Sequence, residues 1–443
     1  VLETRAGMIE GAIRNNDRKL IMDELGFAGE KYRAAAYSGL SGHKSVLDRA
    51  KIARFINLAK AYADHSIAQN RRQDGLFHSY NLIHFNHDGY AVENLFEMLE
   101  GQVAVLSSGF LDAEGSLALL NALRASKMYR PDQNSYLLYP DKKLPPFKMR
   151  NVIAPTIVEN SSWIRNELNS GRRDFVEKDI NGEVHFNTKF RNRRELSAGL
   201  DKDAAISSRE KAALCDVYES VFNHHQFTGR SGTMFKYEGL GCIYWHMVAK
   251  LLLATAEVSI SASEDGVHQA LLDPLFKHFD DIKEGLGIHK SPAQYGAFPI
   301  DPYSHTPGFT GVQQPGMTGQ VKEDMITRFN ELGLCIEGGK ISFSPVLLKQ
   351  NEFMSETQTW QYSMGSEVRY EQLDTASLGF SLCGVPVIYK LAEQGSVAVY
   401  HDGADPETIP GNNLGATWSQ SVFRRENRVR KIVVNLPVTV IRQ

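Results

Sequence analysis

Cysteine is scarce in this 443-residue chain: four residues, Cys215, Cys242, Cys335 and Cys383, lie far apart and form no CxxC pair. That spacing supplies neither a disulfide framework nor a thiolate cage, and apolar settings such as LGCIYW and FSLCGVPV point to small buried side chains. An excess of one charge is also missing. Forty-nine Lys and Arg stand against 52 Asp and Glu, a formal net charge of −3, so no whole-chain basic field exists to hold nucleic acid or an anionic membrane. No apolar run reaches the roughly 18 residues of a membrane span, the longest candidate, HMVAKLLLATA, being broken by Lys250. GxSxG, Walker A and a dinucleotide-type GxGxxG context are absent, which removes sequence support for serine hydrolase, P-loop and nicotinamide chemistry. HExxH and HxxxH are absent as well, and the adjacent His224 and His225 point differently, so no metal or organic cofactor is expected.

What remains is an ordinary globular composition, 42% hydrophobic and 23% charged, enough for one large domain and a smaller one. The chain begins at Val1 without a signal-peptide pattern. The expectation is a soluble, cytoplasmic piece of a longer protein with further domains.

Helical periodicity dominates the first part. Two helical patterns precede residue 38, and Ser41 is placed to cap a long helix reaching about residue 69. RRQDGLFHSYNLIHFNHDGY, residues 71 to 90, reads as a polar, aromatic loop. AVENLFEMLEGQVAVLSSG and DAEGSLALLNALRAS follow as a helical hairpin, the second capped by Asp112. From about 129 to 207 the periodicity fades into an irregular excursion, with a hairpin expected around Asn181-Gly182. Helices return with SSREKAALCDVYESVFNH and a deeply apolar segment from about 237 to 258, then a helix interrupted near Pro274. Residues 289 to 316 hold five prolines and four glycines, a long loop of the functional or lid type. After the helix at 317 to 332 the period falls to two, and KISFSPVLL, GFSLCGVPVIYKL, GSVAVYHDG, QSVFRR and VRKIVVNLPVTVI read as strands. The organisation is therefore a helical domain over 1–338, with the excursion at 129–207, followed by a β-domain over 339–443.

The stretch GVQQPGMTGQVKEDMITRFNELG, a glycine-rich turn feeding an amphipathic helix, sits at the junction of these two parts. MTGQVKEDMITRFNELGLCIEGGKISFSPVLL resembles the last toroid helix and first C-terminal strand of cellobiose and chitobiose phosphorylase-like glycoside phosphorylases, and FSLCGVPVIYKLAEQGSVAVYHDG resembles their closing β-sandwich. The resemblance covers about residues 230 to 443. It implies an (α/α)6-toroid-like helical barrel followed by a small C-terminal β-sandwich. It also implies cleavage of a glycosidic bond with inversion, by phosphorolysis or hydrolysis, with inorganic phosphate as co-substrate in the first case. The partner is then an oligosaccharide or glycoside. By motif match, Thr318 corresponds to the Thr of the phosphate pocket. The D-W-N-D-like segment that carries the general acid in those enzymes has no counterpart here.

The residues themselves support a narrower chemistry. A helix start presents unsatisfied N–H groups and a positive dipole end, suited to phosphate or a sugar hydroxyl, and Thr318 either adds its hydroxyl or simply caps the helix. Gln313, Gln314 and His305 in the preceding loop are suited to sugar hydroxyls. Inverting cleavage needs a carboxylic acid to protonate the leaving oxygen. Asp74, in a loop with His78, Tyr80 and Asn81, is the first candidate, against an Asp-Gly turn; Glu238 in FKYEGLG is the second, against a carboxylate favoured by its helix start. Glu93, Glu97 and Glu100 are expected on one solvated helical face. Tyr80, Tyr136, Tyr139, Trp163, Tyr295 and Tyr303 could stack on sugar rings or fill the core. Arg230 could grip phosphate or an acidic sugar. The competing reading is a non-catalytic glycan-binding or scaffold module of a larger protein.

Overall fold

The computed structural model describes residues 1–39, 41–140, 147–203, 206–222, 243–286, 305–306, 321–364, 367–402 and 405–443. It divides into two compact units, one of Val1–Tyr139 with Ile243–Gln443 and one of Pro140–Cys242.

The first unit opens with α1 (Asn15–Tyr37) and α2 (Arg49–Gln69), a hairpin of β1 (Asn81–Asn86) and β2 (Gly89–Asn94), then α3 (Leu99–Ser107), α4 (Ala113–Ala125) and the short strands β3 (Tyr129–Arg130) and β4 (Ser135–Tyr136). Asp112 caps α4 by accepting from the Gly115 N–H at 2.8 Å. Two sequence expectations shift here. The long helix starts at Arg49, capped by Asp48 through the Ala50 N–H, and not at Ser41. Residues 81 to 94, expected as loop and helix, form a hairpin because His87-Asp88 reverses the chain and Asn86 pairs with Gly89, whose φ of 151° suits glycine. Glu93, Glu97 and Glu100 consequently fall on a strand, an isolated bridge and a helix, and do not form the expected helical stripe.

The second unit contains α5 (Phe147–Arg150), α6 (Pro155–Asn160), α7 (Ser162–Asn169), the hairpin β5 (Val176–Lys178) and β6 (Val184–Phe186), α8 (Arg193–Leu200) and α9 (Ser208–Phe222). It has its own core of Trp163, Ile164, Phe175, Val176, Phe186, Leu196, Leu200, Leu214 and Tyr218. The expected hairpin turns at Asn181-Gly182, where Gly182 has a φ of 87°.

The chain returns to the first unit through β7 (Ile243–Tyr244), α10 (Trp245–Glu264) and α11 (Gln269–Gly285); β8 (His305–Thr306) pairs antiparallel with β7, and α12 (Val321–Glu331) packs on α10. α10 is apolar around most of its circumference and buries Trp245, Met247, Val248, Leu251 and Leu252 against α3, α11 and α12. α11 runs through Pro274 without the expected break, because Leu272, Leu275, Phe276, Phe279 and Ile282 hold one continuous buried face. It also requires Gly285: a Cβ there would lie 2.0 Å from the Asn134 carbonyl oxygen.

The last part comprises the hairpin β9 (Leu334–Glu337) and β10 (Lys340–Phe343), the ribbon β11 (Gln358–Met364) and β12 (Glu367–Leu373), and the strands β13 (Ser377–Leu382), β14 (Val385–Ala392), β15 (Ser396–His401), β16 (Glu407–Pro410) and β17 (Val429–Pro437), with α13 (Gly415–Phe423) between the last two. β13 to β17 form one sheet in the order β13-β14-β17-β15-β16, parallel only between β14 and β17. Alternation sorts its faces: Val387, Tyr389, Val397, Val399, Ile432 and Val434 pack with Ile341, Phe343 and α13, while Ile388 and Val433 pack with Leu373 and Trp360 of the ribbon. QSVFRR is helical and not a strand. Leu414, Trp418 and Val422 recur every four residues and together enter the sheet's core, and the Ser419 hydroxyl accepts from the Ile341 N–H at 2.9 Å. Cys215 is buried, Cys383 sits half-buried in the β13–β14 turn at a φ of 52°, and Cys335 is exposed, all three as free thiols. No helix among the described residues is long and apolar enough to cross a membrane.

Candidate functional site

Asp74, His78, Tyr80 and Asn81 fall in one segment whose polar groups are engaged in holding the backbone. Arg72 donates to both Asp74 carboxylate oxygens, from Nη2 at 2.8 Å and Nε at 3.1 Å, and the Leu76 N–H adds 3.2 Å. The Arg72 guanidinium therefore holds the Asp74 carboxyl below the usual carboxylate range, ionised where a general acid needs a proton. The His78 Nδ1–H donates to the Leu95 carbonyl at 2.7 Å, Asn81 Nδ2 donates to Asn70 Oδ1 at 3.0 Å, and the Tyr80 carbonyl accepts from the Leu95 N–H at 3.0 Å. Buried Gln102 completes the clamp through the N–H and C=O of Phe77 at 2.9 and 2.8 Å. Tyr136, Tyr139 and Trp163 are buried and offer no open face.

A second constellation forms where α10, β7, β8 and α12 meet. Tyr244 pairs in the backbone with His305, which sets that residue beside the start of α10. The next residue but one, His246, lies between two partners: Nε2 is 3.0 Å from Glu323 Oε1 on the first turn of α12, and Nδ1 is 3.4 Å from the Tyr244 hydroxyl. The Glu323 carboxylate is suited to accept from Nε2–H and the Tyr244 hydroxyl to donate to Nδ1. Glu323 is 4% exposed, and neither its Oε2 nor the Thr327 hydroxyl one turn later has a hydrogen-bond partner among the described residues. These two buried polar atoms lie one turn apart on the same face of α12. Salt bridges fix the far end of α12, Arg328 to Glu331 and Glu352 at 2.5 and 2.8 Å and Lys283 to Glu331 at 2.6 Å.

Asp324 adjoins this cluster. Its carboxyl reaches solvent, yet the dense protein around it, with the neighbouring Glu323 charge, raises it to about 6. Pattern reading passes over Glu323 and Asp324 because two acids in a first turn look like ordinary dipole partners. The usable signal is their position directly after PGMTGQ combined with a histidine at the start of the most apolar helix. Since the folded state holds the Asp324 proton more tightly than the unfolded chain, its stabilising contribution is fully present below about pH 4 and is lost as pH rises through about 6. Asp324→Asn should therefore gain in melting temperature relative to wild type as pH climbs through that window, with a constant difference above it; a difference independent of pH would contradict the raised acidity.

Glu238, Arg230, Gln313, Gln314 and Thr318 lie outside the described residues, as do Tyr295, Tyr303, His224, His225 and Cys242. The segments that carry them lead directly into β7 and α12, and one of them contains β8.

Residues 144–225 match the model of the GH149 phosphorylase insertion domain 2. The match falls within the compact unit Pro140–Cys242, overlaps most of the excursion expected at 129–207, and supports a glycoside phosphorylase-like relationship. No curated protein matches the chain.

Proposed function

We propose that this chain carries part of the active site of an inverting glycoside phosphorylase, acting on an oligosaccharide or glycoside with inorganic phosphate as the attacking group. The observation that carries the reading is the match of residues 144–225 to a phosphorylase insertion domain. In this reading the helices within 1–338 belong to an (α/α)6-type toroid and residues 339–443 to its closing β-sandwich. Thr318 and the N–H groups of its turn take the phosphate, with Arg230, His305, Gln313 and Gln314 around phosphate and sugar. Asp324, with an ionisation near neutrality, protonates the leaving oxygen, and Glu238 is the alternative acid. A phosphorylase can dispense with the second carboxylate a hydrolase uses to activate water, because phosphate arrives already nucleophilic.

The ion-paired state of Asp74 favours a second reading, a glycan-binding module without its own acid. The test is incubation of the folded chain with a panel of disaccharides and oligosaccharides, with and without phosphate. Phosphate-dependent release of a sugar 1-phosphate is the expected result, and free reducing sugar independent of phosphate would assign hydrolysis. Retention of oligosaccharide on the protein without release of either product would establish the binding module.

A further inference from the structure

The β5–β6 hairpin gathers Asp179, Glu183 and His185 so that one ligand atom from each lies within 4.8 Å of the others, at the edge of a cavity of about 760 Å³. The histidine is oriented from outside this group. Its Nδ1 contacts the Asn151 carbonyl, which can only accept, so the ring proton resides on Nδ1. Asn151 is 3% exposed and its amide holds both the N–H and the C=O of Phe186, at 3.0 and 2.7 Å, so this anchor does not swing away. In the neutral ring the Nε2 lone pair then faces Asp179 Oδ2 at 3.3 Å. Two acceptors so placed repel each other unless a proton or a cation stands between them.

The carboxylates are placed to complete a coordination sphere. Asp179 Oδ1 accepts from the N–H groups of Asn181 and Glu183 at 2.9 and 2.8 Å, which fixes the carboxylate and leaves Oδ2 turned toward His185. The Glu183 side chain is exposed, and no hydrogen bond or ion pair joins it to a described residue. A backbone carbonyl on the far nitrogen of the ring is the support that ligating histidines commonly receive.

We infer that Asp179, Glu183 and His185 form a binding site for one divalent cation of borderline hardness, Zn²⁺ or Mn²⁺, that ties the two strands of this hairpin together. One imidazole nitrogen and two carboxylate oxygens suit such ions, with water filling the remaining positions. The sequence conceals the site because Asp179 and Glu183 flank a turn and His185 follows on the returning strand, a spacing set by strand pairing and not by a helical repeat.

The test uses the full chain, freed of metal with a chelator and titrated with Zn²⁺ and separately with Mn²⁺ by calorimetry, with thermal unfolding followed in parallel. One ion bound per chain and a rise in melting temperature are expected. Glu183→Gln, at an exposed side chain, and Asp179→Asn, which keeps the Oδ1 acceptor of the turn, should each weaken binding roughly tenfold or more. Failure of the folded wild-type chain to bind either ion would overturn the assignment, as would affinities unchanged in both variants; His185 would then carry a second proton and pair with Asp179. None of these readouts depends on glycosidic cleavage, so the site stands or falls apart from the proposed activity.

Discussion

Asp324→Asn is expected to reduce kcat for phosphorolysis of a natural sugar–sugar bond by roughly 10² to 10⁴-fold, the usual contribution of a positioned general acid, with KM changed only a few-fold. The leaving sugar alkoxide is strongly basic and must be protonated as the bond breaks. An aryl glycoside with an acidic phenol departs without that help, so the same variant should retain most of its rate on such a substrate. This contrast separates a lost proton donor from a disturbed fold, which would lower both rates. If Asp324→Asn loses neither rate and Glu238→Gln shows the leaving-group contrast instead, the acid is Glu238.

Gly333→Ala is expected to cost more than about 4 kcal/mol of stability, among the largest effects available to a single methyl group. Gly333 ends α12 at a φ of 65°, in the left-handed region, with its carbonyl accepting from the Ser344 N–H at 2.7 Å. A Cβ at this position would lie 2.1 Å from the Ser344 carbonyl carbon and 2.2 Å from the Pro345 nitrogen, both backbone atoms with no rotamer by which to withdraw. The displaced segment follows β10, next to the point where the Tyr389 hydroxyl of β14 donates to the Leu332 carbonyl at the end of α12. Gly338→Ala is the control: its φ of 55° is similarly strained, but nothing lies within 4 Å of its added Cβ, so only about 1 kcal/mol is expected. Urea unfolding of the two variants measures the difference, and equal losses would refute the backbone-contact argument.

Local signals in the sequence were read well where one side chain acts on its neighbours. Asp112 before an apolar helix, Asn181-Gly182 between short strands, and the change of period from 3.6 to 2 after α12 all describe features of the structure. The errors share a cause. LGATWSQSVF has the composition of either element, and only the sheet beneath it selects the helix that buries Leu414 and Val422. Residues 81 to 90 read as a loop and 91 to 94 as the start of a helix, because the strand pairing across His87-Asp88 that organises them carries no turn signal stronger than Asp88-Gly89.

The candidate site divides in the same way. The PGMTGQ turn, the apolar helix after FKYEGLG and the proline-rich loop with His305 were each conspicuous in the sequence, since composition alone marks a break or a buried face. The pairing of β7 with β8 and the approach of His246 to Glu323, at a separation of 77, were not, because they join residues far apart in the chain. Asp74 makes the complementary point: its residue type and loop suit an acid, and the Arg72 guanidinium pushes its carboxyl further below the usual range instead of raising it as a general acid needs. Asp324 has the same side chain, and desolvation by the surrounding protein together with the Glu323 charge shifts its ionisation the other way. Sequence by itself determined the helix-rich and β-rich parts and the irregular excursion within the former, all properties of short segments. Tertiary structure decided which acids hold protons and which side chains meet, because solvation and charge at a point are sums over neighbours that the linear order does not contain.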